Sequence, residues 1–335
     1  MLGLEKKAGG MQDFMKKYIL KRIVTGLLSV VISFIITFFL VKTAPGNPIR
    51  LLTGKENPNP ELVQQLTEYY GLDQPLTKQF VIYVRNLFRG DFGYSYVSDK
   101  PVWDIIVARL PVTLMLSTTS VLLSMILGML VAIISSISRA KWLSRLLDGI
   151  NYVLDSVPTF WLGLILMLVL ASWLKWLPTS GMYNVREMYT GWRYYLDVAE
   201  HMVLPLLTLV LIQAPGYYKI FRSAVEKTMA EDYIRILQAT GIRRGSLFTQ
   251  FVLKNSILPI ITVAGLNIAF SISGVTMTEI VFSWQGMGRL LMDAIGRRDH
   301  LVLLGAYLMI SICVCVFTIL TDILYALANP QVRYE

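Results

Sequence analysis

The chain has 335 residues, of which 55% are hydrophobic and only 16% charged, and its mean hydropathy is +0.56. Soluble domains are about 25% charged, so this composition argues against a cytosolic enzyme, and the apolar content excludes a disordered chain. We interpret the formal net charge of +9 as a sign of membrane topology before nucleic-acid binding, which we do not expect.

Six uncharged runs are long enough to cross a membrane, which takes about 20 mostly apolar residues. They cover residues 23–41, 110–138, 156–174, 201–218, 255–278 and 301–321. The fourth run is the shortest and contains Pro205 and Pro215, which makes it the weakest of the six. The pattern predicts an all-α polytopic membrane protein with six transmembrane helices and both termini on one side.

Basic residues predict the orientation, because short cytoplasmic loops are rich in Lys and Arg. They are concentrated before the first span, between the second and third, and in residues 219–254 after the fourth. In a six-span count these segments share one side, which we predict to be the cytoplasm. The connection 286–299, with Arg289, Arg297 and Arg298, is an exception on the outside, where we expect these arginines to have partners.

The spans divide the chain into segments of different character. Residues 1–18 form a predicted cytoplasmic tail, and we set residues 1–10 aside as a leader unlike the rest. The others are listed here in order: a first span at 19–42, an extracytoplasmic segment at 43–109, a five-helix core at 110–329 and a cytoplasmic tail at 330–335. The first span is predicted to be an uncleaved signal anchor, since its apolar run exceeds the about 7–15 residues of a cleaved signal.

The extracytoplasmic segment is too long to be a simple turn. Residues 60–70 begin with Pro60 and precede Gly71, which predicts one short helix, and residues 77–87 predict a second. The segment is either a helical cap packed on the bundle or a docking surface for an external partner, and the two roles are compatible.

Residues 219–254 contain a short amphipathic helix outside the membrane. Thr228 and Glu231 fit a capping box, Glu231 and Asp232 place negative charge on the first turn, and Gly241 ends the helix. One face is predicted to carry Met229, Tyr233, Ile236, Leu237 and Thr240. This apolar stripe needs a partner, either the bundle or lipid surface or a cytoplasmic protein.

The sequence lacks the residues that ATP hydrolysis, catalysis or metal binding would require. The sequence has no G-x-x-x-x-G-K-[ST] loop, so we predict that this chain does not hydrolyse ATP itself. His201 and His300 are the only histidines, and Cys313 and Cys315 lie in an apolar run. We therefore predict no catalytic residue, no metal site and no cofactor in this chain. A self-sufficient channel or carrier remains the alternative, although such proteins usually carry charges at the midplane.

Eight short motifs follow one another along nearly the whole chain. They are APGNP (44–48), GLDQPL (71–76), RGDFGYS (89–95), SVPTFWLG (156–163), LPTSG (177–181), EIVFSWQGMG (279–288), the Arg-Asp pair ending at Asp299, and NPQVR (329–333). In this order they resemble the oligopeptide/dipeptide permease B-type subunit of bacterial ABC importers for peptides and nickel. Asn47 stands where the family usually has Asp.

The resemblance implies a fold and a set of partners. The fold would be the type I ABC importer permease with an extracytoplasmic helical insertion, in the inner membrane of a bacterium. Its partners would be a second homologous permease subunit, one or two P-loop ATPase subunits that bind the ATP and Mg²⁺, an extracytoplasmic substrate-binding protein, and membrane lipid. The substrate would be a dipeptide or an oligopeptide, with nickel or a metal chelate as the alternative in the same family.

The resemblance also implies two sets of contact residues. The family's ATPase-coupling motif falls on the amphipathic helix, at Glu231, Asp232, Tyr233, Arg235, Ile236, Leu237, Ala239 and Gly241, and ends at Pro259. Ile236 and Leu237 depart from its usual Thr/Ala pair. Binding-protein docking would involve Asp73, Asp91, Trp284, Arg289, Arg297 and Asp299.

Overall fold

A computed structural model describes residues 2–43, 59–71, 73–95, 97–138 and 140–328 of the chain. The predicted APGNP motif at 44–48, the NPQVR motif at 329–333 and the tail 330–335 lie outside these residues.

The described residues are mostly helical. In chain order the elements are α1 (Leu2–Thr43), α2 (Pro60–Tyr70), α3 (Leu76–Leu87), β1 (Tyr94–Ser95), β2 (Lys100–Pro101), α4 (Val102–Ile137), α5 (Lys141–Ser156), α6 (Thr159–Leu166) with a π-helical continuation Met167–Trp173, α7 (Trp192–Ala230), α8 (Asp232–Ala239), α9 (Arg244–Leu247) with a π-helical continuation Phe248–Val252, α10 (Leu253–Gly274), α11 (Thr276–Val281), α12 (Met287–Arg297) and α13 (His300–Ala328).

The predicted all-α polytopic fold is confirmed. Among the residues that the structure describes, five helical stretches are each long and apolar enough to cross a membrane, and α5 with α6 makes a sixth candidate if this bent pair is one span. The fourth predicted run lies in α7, which continues through Pro205 and Pro215 over 39 residues. Helix α4 begins at Val102 and not at residue 110, so its first turns belong to what the sequence suggested was the outer segment.

The outer segment is a helical cap that packs on the first span. Its helices α2 and α3 match the predicted pair, and a two-stranded antiparallel hairpin, which the sequence did not predict, follows them. Phe80 and Tyr83 of α3 pack against Phe34 and Phe38 of α1, with ring centroids 5.1–6.0 Å apart. This aromatic cluster attaches the cap to the C-terminal half of α1, as expected for the first of the two roles considered above.

Helices α4 and α7 approach each other closely because the contact face of α4 carries small side chains. Ser117, Ser124, Gly128 and Ala132 lie on that face, and all four are buried. Small residues let helix backbones approach closely where there is no hydrophobic driving force from water. At Gly128 a Cβ atom would lie 2.6 Å from the Ala214 carbonyl oxygen of α7, so the position has no room for a side chain.

The start of the first span and the end of the last lie on the same side of the bundle. Arg22 near the start of the span in α1 pairs with Asp322 near the end of α13, with 3.1 Å between Nε and Oδ2. This ion pair agrees with an even number of membrane crossings.

Replacing Gly128 by Ala tests the close contact of α4 and α7. We expect Gly128→Ala to destabilise the protein by about 1–3 kcal/mol, because the added methyl group meets backbone atoms that cannot give way. Gly216→Ala in α7 is the matched control, since a Cβ there meets no atom within 4 Å. The control should be neutral or stabilising by up to about 1 kcal/mol. Thermal unfolding in detergent measures both, and equal midpoints for the two variants would contradict this packing.

Candidate functional site

The amphipathic helix α8 is attached to the bundle by one buried side chain. Ile234 is 0% exposed and lies in an apolar cluster with Phe221 and Val225 of α7 and Val252 and Ile260 on the α10 side. The predicted contact residues did not include Ile234. Burying an isoleucine fully stabilises by about 1.5–3 kcal/mol, enough to hold a two-turn helix in place.

Most of the predicted coupling residues lie on the exposed surface of α8 and its ends. The exposed ones are Glu231, Asp232, Tyr233, Arg235, Ile236, Ala239 and Gly241, whereas Leu237 is half-buried against the Ile234 cluster. The bundle therefore covers only part of the apolar stripe predicted from the sequence, because Leu237 is half-buried whereas Tyr233 and Ile236 are exposed. What remains outside is an uncovered surface with apolar and charged side chains.

The ends of α8 differ in how well the sequence predicted them. The capping box is wrong, because α7 continues to Ala230, the Thr228 hydroxyl donates to the Ala224 carbonyl within it, and the N-cap Glu231 makes no side-chain capping bond. The C-terminal stop is confirmed, since Gly241 has φ +80°. The Asn255 amide of α10 donates to the Tyr233 hydroxyl at 2.8 Å, which links α8 to the base of α10.

At the other end of the bundle, a buried carboxylate joins three chain segments. Glu279 of α11 is 0% exposed and accepts hydrogen bonds from the Thr113 hydroxyl of α4 at 2.6 Å and from the Arg289 backbone N–H of α12 at 3.0 Å. The Thr113 oxygen in turn accepts from the Met287 N–H at 2.7 Å. A Cβ at Gly286 would overlap the Glu279 carboxylate, which explains why the motif at 279–288 has glycine there.

Two of the predicted docking residues are in the interior, which corrects the expectation for them. Trp284 is 0% exposed, and its indole N–H donates to the Val112 carbonyl at 3.5 Å. Asp299 is 2% exposed and accepts from the Ser95 hydroxyl of the hairpin at 2.6 Å. Side chains that are buried within their own chain cannot contact a docked protein in this conformation. Both instead hold the outer connection to the bundle.

The other four predicted docking residues reach the surface to different extents. Asp73 and Arg297 are exposed. Asp91 is half-buried, because its carboxylate accepts from the Tyr69 hydroxyl and from the Gly93 N–H at 2.8 Å. Arg289 is also half-buried, with its Nε 3.9 Å from Asp293 in the same helix. Asp73 and Arg297 are therefore the most accessible of the set.

Burial raises the pKa of both interior carboxyl groups at this end. Removal from water raises the pKa of Glu279, and the hydrogen bonds from Thr113 and the α12 backbone partly oppose that rise. Burial likewise raises the pKa of Asp299, opposed by its hydrogen bond with Ser95. Within the described part of the chain, no three His, Cys, Asp or Glu side chains come together as a metal site would require.

Two family descriptions match the sequence and together cover most of it. "Binding-protein-dependent transport system inner membrane component" matches residues 124–334, and the N-terminal component of the same kind of system matches residues 15–117. The boundary between the two matches lies within α4.

Curated relatives match nearly the full length of the chain. The sequence is 32% identical over 316 residues to the di/tripeptide transport system permease protein DppB of Pseudomonas aeruginosa, covering 90% of this chain and 94% of that protein. It is 34% identical over 321 residues to the glutathione transport system permease protein GsiC of Escherichia coli, covering 96% and 100%.

A solved structure supports the fold. A chain from the structure titled as inward-facing conformations of the MetNI methionine ABC transporter superposes with a TM-score of 0.54. The match covers 67% of this chain and 96% of that one at 14% identity, so it bears on the fold alone.

The hydroxyl of Thr113 connects the Glu279 carboxylate to the start of α12, and Thr113→Val removes it. We expect a loss of about 1–3 kcal/mol, because the Met287 N–H and one carboxylate oxygen both lose their partner. Ser117→Ala, one turn later on α4, is the control, since the Ser117 hydroxyl bonds only within its own helix. Thermal unfolding of both variants in detergent is the measurement, and an equally small effect of both would refute the role of Thr113.

The raised pKa of Glu279 predicts how stability changes with pH. The folded protein holds this proton more tightly than the unfolded chain, whose glutamates titrate near about 4.3. The stability of the natural protein relative to Glu279→Gln should therefore be greatest at acidic pH and fall as pH rises through the raised pKa. Unfolding midpoints of both proteins at a series of pH values give this difference. A difference that stays flat or grows with pH would contradict the prediction.

Proposed function

This chain belongs to the family of binding-protein-dependent transport system inner membrane components, and we propose that it forms half of the path by which an ATP-driven importer moves small peptides. The observation that carries the proposal is full-length similarity to two permeases named for di/tripeptide and glutathione transport. Glutathione is itself a modified tripeptide, so both names indicate the same substrate class. The other half of the path would be a second, homologous permease subunit.

The ATPase partner would dock on the exposed surface of α8. This surface combines apolar Tyr233 and Ile236 with charged Asp232 and Arg235, a mixture suited to a protein interface. The chain has no P-loop of its own, so the ATP and Mg²⁺ would bind to one or two partner subunits. Because Ile234 packs between α7 and the α10 side, a displacement of α8 would pass directly to two membrane helices.

The orientation follows if α8 faces the ATPase. The side with α8 would be cytoplasmic, in agreement with its many basic residues, and both termini would share that side. The cap formed by α2, α3 and the hairpin would then face outward and meet the substrate-binding protein. Exposed Asp73 and Arg297 are the side chains best placed for that contact.

Purification in mild detergent with its native partners tests the proposed function. Mass spectrometry should find a second six-span subunit and P-loop ATPases, and the complex reconstituted in vesicles with its binding protein should take up labelled dipeptides and tripeptides only with ATP. Uptake of a nickel chelate instead of peptides would move the substrate assignment within the family. Uptake by the chain alone without ATP would overturn the importer proposal in favour of a self-sufficient carrier.

A charge on the exposed surface of α8 tests the coupling role. We expect Ala239→Glu to weaken ATPase binding about thirtyfold or more, because an unpaired carboxylate in a protein interface costs about 2 kcal/mol or more. Gln250→Glu adds the same charge at an exposed position beyond α8 and should leave binding unchanged. Copurification of the ATPase and ATP-driven peptide uptake are the readouts. Normal coupling in Ala239→Glu would show that the ATPase docks elsewhere.

A further inference from the structure

Helix α5 lies across the direction of the helix that follows it. It bends by 106° relative to the α6 segment Thr159–Trp173, which contains no charged residue. If the α6 segment runs into the membrane, a helix at this angle runs roughly along the membrane plane. The sequence had suggested only a basic connection here.

Helix α5 makes polar contacts with the bundle and leaves a row of apolar side chains exposed. Asp148 bonds to Arg222 and Tyr218 of α7, Ser144 to Ser135 of α4 at 2.9 Å, and Asp155 to Lys219 of α7 at 2.7 Å, beside the half-buried Leu143, Leu147 and Leu154. Its outward face is an exposed apolar stripe at helical spacing, formed by Trp142 (67% exposed), Leu146, Ile150 and Val153 (64% exposed). Such a stripe requires an apolar environment outside the chain.

The charged residues of α5 indicate what kind of apolar environment covers the stripe. Its two acids, Asp148 and Asp155, are paired with α7. Its two bases, Lys141 and Arg145, are exposed and follow one edge of the apolar stripe. An apolar stripe bordered by cations is typical of helices that lie in a membrane interface, with the stripe among acyl chains and the cations at phosphates.

We propose that α5 is an interfacial helix, with its apolar stripe in the lipid leaflet on the α8 side and with Lys141 and Arg145 bound to anionic lipid headgroups. The ion pairs of α5 with Lys219 and Arg222 then connect the membrane surface to the last turns of α7. These turns lead directly into α8, since α7 ends at Ala230 and α8 begins at Asp232. The lipid would thus anchor the base of the helix that the proposed ATPase moves, although the lipid contact itself does not depend on that partner.

Spin labels on α5 test the environment of the stripe. The complete complex is reconstituted in phosphatidylcholine vesicles containing phosphatidylglycerol, with Cys313→Ala and Cys315→Ala as background. Labels at Leu146→Cys and Ile150→Cys should collide often with oxygen and rarely with a water-soluble nickel chelate. A label at Tyr152→Cys is the matched control, because this exposed position lies about 120° around the helix from Leu146, on the side that carries Lys141 and Arg145. It should collide more often with the nickel chelate and less often with oxygen than the labels at 146 and 150. Low collision with both agents at 146 and 150 would mean that a second subunit covers the stripe, and frequent collision with nickel would mean water. Either result would overturn the proposal.

Omitting phosphatidylglycerol tests the headgroup contact separately. With the natural Lys141 and Arg145, the label at position 146 should move toward water when the vesicles contain phosphatidylcholine alone. The double variant Lys141→Gln and Arg145→Gln should lose this dependence on lipid charge. A label position that is the same in both lipids would refute anionic lipid binding. None of these readouts requires transport, so failure here is distinguishable from failure of the proposed function.

Discussion

Close backbone contact between α4 and α7 is the constraint on which the rest of the molecule depends. Lipid is as apolar as leucine, so helices in a membrane gain little from burying apolar surface against each other and rely on tight packing. Gly128 supplies that packing where α4 meets Ala214 of α7. Everything proposed for function is attached to this pair: Thr113 of α4 holds the outer carboxylate Glu279, and α7 leads into α8.

Different interactions hold the two ends of the α4–α7 pair: hydrogen bonds to buried carboxylates at one end and mainly apolar packing at the other. At the end away from α8, Glu279 and Asp299 accept hydrogen bonds in the interior, and a buried carboxylate cannot change partners without a large penalty. At the other end, α8 is held mainly by the apolar packing of Ile234, which has no directional requirement, together with one hydrogen bond from Asn255 to Tyr233. If α8 faces the ATPase as proposed, the hydrogen-bonded end is the outer one and the mainly apolar attachment is the inner one, which would suit a path driven from the inner side.

The sequence alone predicted correctly those elements that depend on a local feature of the chain. Charge-free runs of about 20 residues predict spans because charge is costly in hydrocarbon, and a proline at the start with a glycine after the end predicts α2. It failed where a contact joins residues far apart in sequence. Neither the hydrogen bond between Thr113 and Glu279 nor that between Ser95 and Asp299 has a local signal, so Trp284 and Asp299 were taken for surface residues.

Which side chains of α8 are buried against the bundle could not be predicted from the sequence, for a more specific reason. The helix has only eight residues, with apolar side chains at Tyr233, Ile234, Ile236 and Leu237, so more than one face could be chosen as the buried one. The choice is made by the Phe221 and Val225 side chains of α7, which leave space for Ile234. Since Tyr233 and Ile236 are then left exposed on a helix that the bundle already holds, their apolar surface is available to a partner. The stripe predicted from the sequence combines a side chain that helps attach the helix, Leu237, with exposed ones, Tyr233 and Ile236, and only the exposed ones could take part in the proposed docking.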